Sequence, residues 1–129
     1  MKRALITLAA FAAFATPALA EPLTWVVTEE SEAGLQSAQG SWTVVTEGDA
    51  VSGTAAMQLS NGSPLTYKVA GTFKDGAYTI ELTDRSDSKK GCIWTGHPPH
   101  AGGTQTKGFV GFAPCSGGVK LIIRTGGVS

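Results

Sequence analysis

Cysteine and histidine are the side chains best suited to hold a soft metal or to act as nucleophile and base, and this chain carries two of each, close together. Cys92, His97 and His100 lie in GCIWTGHPPH, residues 91–100, and Cys115 follows in FAPCSGG. Three chemistries fit these residue types. Four N/S ligands suit tetrahedral zinc, but the spacing C-x4-H-x2-H-x14-C departs from zinc patterns in which cysteines pair two to four residues apart. The Pro98-Pro99 step also stretches the segment, and a polyproline rise of about 3.1 Å per residue puts the two histidine Cα atoms roughly 9 Å apart. A thiolate nucleophile with a histidine base is the second chemistry. It needs a reduced cysteine and a third group to orient the imidazole, and nothing in the sequence singles out an Asp or Asn for that task. The third is a Cys92–Cys115 disulfide, which leaves His97, Pro98, Pro99 and His100 as the stiff start of a tethered loop.

The choice among them turns on the compartment, and the first twenty residues speak to that. Lys2 and Arg3 precede an uncharged apolar run, Ala4 to Ala15; Thr16-Pro17 breaks it, and Ala18-Leu19-Ala20 places small residues at both A-x-A positions. This is the pattern of a secretory signal peptide cleaved after Ala20, and the run is well short of the ~20 apolar residues a spanning helix needs. No cysteine stands at the cleavage site to carry a lipid anchor. Residues 1–20 are therefore expected to be a signal peptide and 21–129 a single domain, periplasmic or secreted, with no membrane span in the mature chain. In such a compartment two cysteines oxidise, so the disulfide is the expected state.

Removal of Lys2 and Arg3 turns a formal charge of zero into −2, with eight basic residues against ten acidic ones. The acids crowd the front: Glu21, Glu29, Glu30, Glu32, Glu47 and Asp49 precede any base of the mature chain. No basic footprint marks a nucleic-acid binder. Gly102-Gly103 and Gly117-Gly118 lack the strand–loop–helix setting and the Lys-Ser/Thr ending of a phosphate loop. Glu81, Asp84 and Asp87, beside Arg85, Lys89 and Lys90 in the RSDSKK turn, read as solvated turn charges rather than a carboxylate pair for acid–base work.

The elements that must position these residues are strands. In AVSGTAAMQL, PLTYKVAGTF and AYTIELTD apolar residues alternate with polar ones at period 2. A one-residue slip would expose every apolar side chain, so the register is well specified. Gly48-Asp49, Asn61-Gly62, Asp75-Gly76 and Gly117-Gly118 supply tight turns that need positive φ. Eight strands are predicted, near residues 23–28, 41–46, 50–59, 64–73, 77–84, 91–96, 106–113 and 119–125. The first two carry the similar strings TWVVTE and SWTVVTE, and the polar ESEAGLQSAQ between them reads as a loop or one helical turn. Such a meander closes into a small antiparallel up-and-down barrel, favoured over a two-sheet β-sandwich because closure removes the exposed edges. Gly53 and Gly71 fall on the apolar face, where a small barrel must bend sharply. The aromatic residues, Phe109 and Phe112 among them, read mostly as core.

Function is read from what is absent as well as present. No assembled catalytic set, cofactor motif or metal motif appears, so the expectation is a non-enzymatic binding or inhibitory module. Its partner would be a protein held by the loops from His97 onward, or a small apolar ligand held in the barrel; a Cys/His enzyme and a structural envelope protein are the alternatives from other classes. Two measurements check the export and redox parts of this reading. The mass of the protein recovered from outside the cytoplasm should match a chain beginning at Glu21, and no thiol should react after denaturation without reductant. Two reactive thiols would return the nucleophile and metal chemistries to the front.

Overall fold

The computed structural model describes residues 21–100, 105 and 107–128. The signal-peptide reading lies outside the described residues. Eight strands run in sequence order: β1 Leu23–Ser31, β2 Gln36–Glu47, β3 Ala50–Leu59, β4 Pro64–Lys74, β5 Ala77–Thr83, β6 Cys92–Gly96, β7 Phe109–Pro114 and β8 Lys120–Val128. They form one antiparallel sheet in the order β6-β5-β4-β3-β2-β1-β8-β7. The sheet curls into a nearly closed barrel, so the barrel of about eight strands is the fold and the sandwich is not.

Closure falls between β6 and β7. There the ladder shrinks to one bridge, in which His97 N–H donates to the Val110 carbonyl at 3.0 Å and Val110 N–H donates back at 2.8 Å. Below it the Cys92–Cys115 disulfide joins the base of β6 to the residue after β7, and Ser116 N–H donates to the Lys90 carbonyl at 2.8 Å. The two strands are neighbours, as the disulfide reading required, yet they form the seam of the barrel instead of a laddered hairpin. Glycine lets the walls approach: a Cβ on Gly111 would run into the Thr95 carbonyl across the seam, and one on Gly71 into the Thr79 carbonyl.

The interior is filled. Trp42 and Trp94 are fully buried with their rings 5.4 Å apart, edge to face, and Trp42 also lies against Trp25 and Tyr67. The similar TWVVTE and SWTVVTE strings prove to be paired strands, with Trp25 opposite Trp42. Val27, Val44, Leu65, Val69, Ile80, Leu82 and Ile123 complete the core at 1% exposure or less. Leu65, Val69, Ile80 and Leu82 are inward positions of the predicted alternation.

Several predicted boundaries move, each for a local reason. The segment ESEAGLQSAQ is largely strand: β1 runs on to Ser31 and β2 begins at Gln36, with Glu29 opposite Ala38. The inward residue at that end is Glu29, a charged group, so the apolar alternation that marks a strand breaks off there. β5 stops at Thr83 because Asp84 has φ 54°. β7 begins at Phe109 because Gly108 has φ 79°; Thr106 lies outside the described residues. Phe112 is corrected from core to surface. It stands three residues from the inward-facing Phe109, and an odd spacing in a strand puts two residues on opposite faces; it is 54% exposed.

Loss of the disulfide should cost stability without changing the fold. The bond closes a loop with sequence separation 23, and the chain-entropy effect for such a loop is about 3 kcal/mol. The Cys92→Ser, Cys115→Ser double variant should unfold in urea with its stability lowered by about that amount. An unchanged midpoint would show that the seam holds without the bond.

Candidate functional site

Three places on the barrel combine polar or aromatic side chains with shape: the end closed by the β5–β6 connection, the opposite mouth, and the outer wall at the seam. The closed end holds the strongest electrostatics. Arg85 reaches inward from the 84–91 connection, and both its side chain and that of Glu29 are 1% exposed. Its Nη1 and Nη2 donate to Glu29 Oε2 at 3.1 Å and Oε1 at 2.9 Å. The Tyr67 hydroxyl donates to Glu29 Oε2, and Trp42 Nε1 donates to the Tyr67 hydroxyl at 2.9 Å. The guanidinium also lies over the Tyr67 ring, 4.6 Å from its centroid. On its outer side Arg85 Nε and Nη2 donate to Asp87 at 3.0 and 2.8 Å.

This network corrects the reading of Arg85 and Asp87 as solvated turn charges; Glu81, Asp84 and Lys90 are exposed as that reading has them. Arg85 is buried and Asp87 nearly so, at 1% and 11% side-chain exposure. The φ of 54° at Asp84 and 69° at Ser88 turns the connection across the barrel end and carries Arg85 inward. Burial alone would push the Asp87 carboxyl up, but hydrogen bonds and charge from Arg85, then Lys89, outweigh it and hold the group well below the usual carboxylate range. Burial works against the Arg85 charge too, and is outweighed by Asp87 and Glu29, so the guanidinium is held more firmly protonated than usual. Burial and then the Glu29 charge push the Tyr67 hydroxyl well above its ordinary value. These groups are sealed among core side chains and bonded to one another, so their work is to close and rigidify the barrel base.

The mouth is aromatic. Tyr78 packs against Phe73, Phe109 and Trp25 at centroid distances of 4.4, 4.8 and 5.0 Å. Tyr78, Phe109 and Trp25, with Leu23, Lys107 and Gly108, border a shallow cleft of about 460 Å³.

The outer wall at the seam carries a groove of about 630 Å³. Val110, Phe112 and Ile122 form an apolar floor, with Arg124 at one side. His97, Pro98, Pro99 and His100 make one wall, and Gln105 stands at the rim. The four loop residues singled out in the sequence therefore do come together, as the wall of a groove. The backbone bridge between His97 and Val110 places that wall directly beside the floor. Arg124 Nε donates to Glu30 Oε2 at 2.8 Å and Nη1 to Gln105 Oε1 at 2.9 Å. Lys120 sits over the Phe112 ring, its Nζ 4.9 Å from the centroid.

The cysteines are not part of this site except as its anchor. Both sulfurs are in the disulfide, so neither serves as a thiolate nucleophile or a metal ligand in this state. The floor of the groove was not found from sequence. The usable signal was the phase of β7, in which Val110 and Phe112 alternate with the inward Phe109, Gly111 and Ala113.

No family model matches this chain, and no curated protein matches it. Solved structures do. A redesigned β-barrel, mFAP1, bound to DFHBI superposes with a TM-score of 0.60 at 20% identity, covering 81% of this chain and 92% of that one. A second redesigned barrel, mFAP0, also bound to DFHBI, gives 0.55 at 20% identity, covering 81% and 95%. A de novo designed fluorescence-activating β-barrel gives 0.55 at 18%, covering 79% and 88%. At such identities the likeness shows the fold alone: this is a small eight-stranded antiparallel β-barrel.

Two outcomes test the closed end. Arg85→Met leaves Glu29 buried without its partner and should cost about 3–5 kcal/mol, most of which Glu29→Leu in the same chain should restore. The depressed Asp87 group contributes stability above its unfolded pKa, about 3.9, and loses it as pH falls through the folded value. Stability measured by urea unfolding should therefore drop below about pH 4, and Asp87→Asn should flatten that slope. An unaltered slope in the variant would show that other carboxylates set the acid limit.

Proposed function

We propose that this chain is an exported, non-enzymatic binding module that engages a protein partner through the groove walled by His97–His100. The single observation that carries the reading is the exposed apolar floor of Val110, Phe112 and Ile122 beside a proline-stiffened wall tied to the barrel seam. A large aromatic side chain left half-exposed on a rigid strand suits recognition, because little ordering cost falls due on binding. The signal-peptide pattern supports export. The commitment of both cysteines to the disulfide supports a role without covalent catalysis.

A small apolar ligand is the second reading, favoured by one specific observation, the aromatic mouth around Tyr78. The barrels named above that are bound to DFHBI hold a small molecule in a similar fold. Here the interior is packed around Trp42 and Trp94, so such a ligand would sit at the lip of this barrel and not deep within it.

Site-specific photocrosslinking separates these readings. A photoreactive phenylalanine at position 112 should capture a partner protein in the native compartment. The same group at position 54, an exposed outward position on β3, should not. Equal capture from both positions, or none from 112, would remove the groove as the binding surface.

A further inference from the structure

The charge pattern and the strand geometry of the groove point to the chemistry of what it holds. After Asp87 the sequence contains no acidic residue, while Lys89, Lys90, Lys107, Lys120 and Arg124 are basic. The fold gathers that acid-free stretch into β6, β7 and β8, which make the seam and the groove. One carboxylate reaches the floor from β1: Glu30, opposite Ile122 and paired with Arg124. That pairing uses Nε, and Gln105 uses Nη1; Arg124 Nη2 makes no hydrogen bond among the described residues. Lys120, at the other end of the floor, has no carboxylate within bridging distance among the described residues and only the Phe112 ring beneath it.

The spacing of these groups sets a template. Lys120, Ile122 and Arg124 are alternate residues of β8 and so point out from the same face of the sheet. A strand rises about 3.3 Å per residue, which puts the two cationic residues about 13 Å apart with Ile122 midway. Phe112 lies directly opposite Ile122 on β7. An extended peptide laid along β8 has the same rise. Side chains four residues apart on it would meet Lys120 and Arg124, and the one between would fall on the Phe112–Ile122 floor. β8 is hydrogen-bonded on both sides, to β1 and β7, so the segment would be read by side chains across the sheet face and not added as a strand.

We propose that the groove holds an extended acidic segment of a partner protein, in which two carboxylates four residues apart flank one apolar side chain. The proposal rests on the reading of the groove as a protein-binding surface and adds the chemistry of the partner. A small apolar carboxylate would satisfy one cation and the floor, but not both cations.

Short end-blocked peptides added to the disulfide-bonded, 15N-labelled chain test this by amide spectra. Glu-Ser-Phe-Ser-Glu should shift the amides of Val110, Phe112, Ile122 and Arg124, and bind about tenfold more tightly than Gln-Ser-Phe-Ser-Gln, a difference of about 1.4 kcal/mol. Glu-Glu-Phe-Ser-Ser, with its carboxylates adjacent, should lose most of that advantage. Added salt should erode it, because the charges are exposed. Lys120→Ser should bring the acidic peptide down to the neutral one with the spectrum otherwise unchanged, and Arg124→Gln should do the same.

The possible failures are distinguishable. Equal or tighter binding of Gln-Ser-Phe-Ser-Gln or Lys-Ser-Phe-Ser-Lys at the same amides would overturn the acidic template and leave the groove as a peptide site. Binding of octanoate at those amides, with none of the peptides, would overturn it in favour of a small carboxylate. No shift with any probe would count against both the template and the groove itself.

Discussion

Closure is the constraint on which the rest of this barrel depends. Seven of the eight strand interfaces are extended antiparallel ladders, and the eighth, between β6 and β7, is a single bridge. These are also the shortest strands, five and six residues long. Hydrogen bonding alone gives this seam little, and the chain reinforces it by other means. The disulfide ties the base, the His97–Val110 bridge ties the top, and Gly111 lets the two backbones come close between them. A covalent bond at the weakest interface limits the opening of an edge that would otherwise be free to pair with another chain. The same closure forms the groove, because it sets the start of the loop after β6 against the outer face of β7 and β8.

The closed end solves a second problem, how to stop a barrel at its base. Most of the interior is apolar and aromatic, but at that end Glu29 and Arg85 are buried as a bidentate pair. A buried ion pair is an uncertain source of net stability, since desolvation offsets much of the attraction. Its value here is directional. Glu29 is on β1, Tyr67 on β4 and Trp42 on β2, so the hydrogen bonds cross the interior and fix how the 84–91 connection lies over the opening. Apolar side chains could fill the same volume without specifying that arrangement. The network is also well satisfied, with the guanidinium bonded on both sides and the carboxylate receiving three donors.

How much of this was legible in the sequence follows from the range of each signal. Alternation reports which way a side chain points as long as the inward residue is apolar. It therefore located β3, β4 and β5 closely, and it failed at the β1–β2 end, where Glu29 takes the inward place. For Phe112 the alternation was sound, since its phase in β7 puts the ring outward, and the expectation of a core residue overlooked it. The loop His97–His100 stood out because its composition is unusual, and it does line the groove. The floor beneath it did not stand out, because Val110, Phe112, Ile122 and Arg124 come from two strands whose adjacency is a tertiary fact. The charges at residues 84–90 read as a solvated turn because burial of Arg85 depends on a carboxylate 56 positions away.

The sequence by itself determined the strand pattern, the tight turns and the pairing available to two cysteines. These are set by residue type and short spacing, which act over a few residues. The tertiary structure alone decided where the barrel closes, which charges are sealed inside, and that the HPPH segment becomes the wall of an apolar groove. Those outcomes depend on strand order and curvature, which bring distant residues to one face. No local pattern encodes them, because a strand shows only its own two faces and not the neighbour that will cover them.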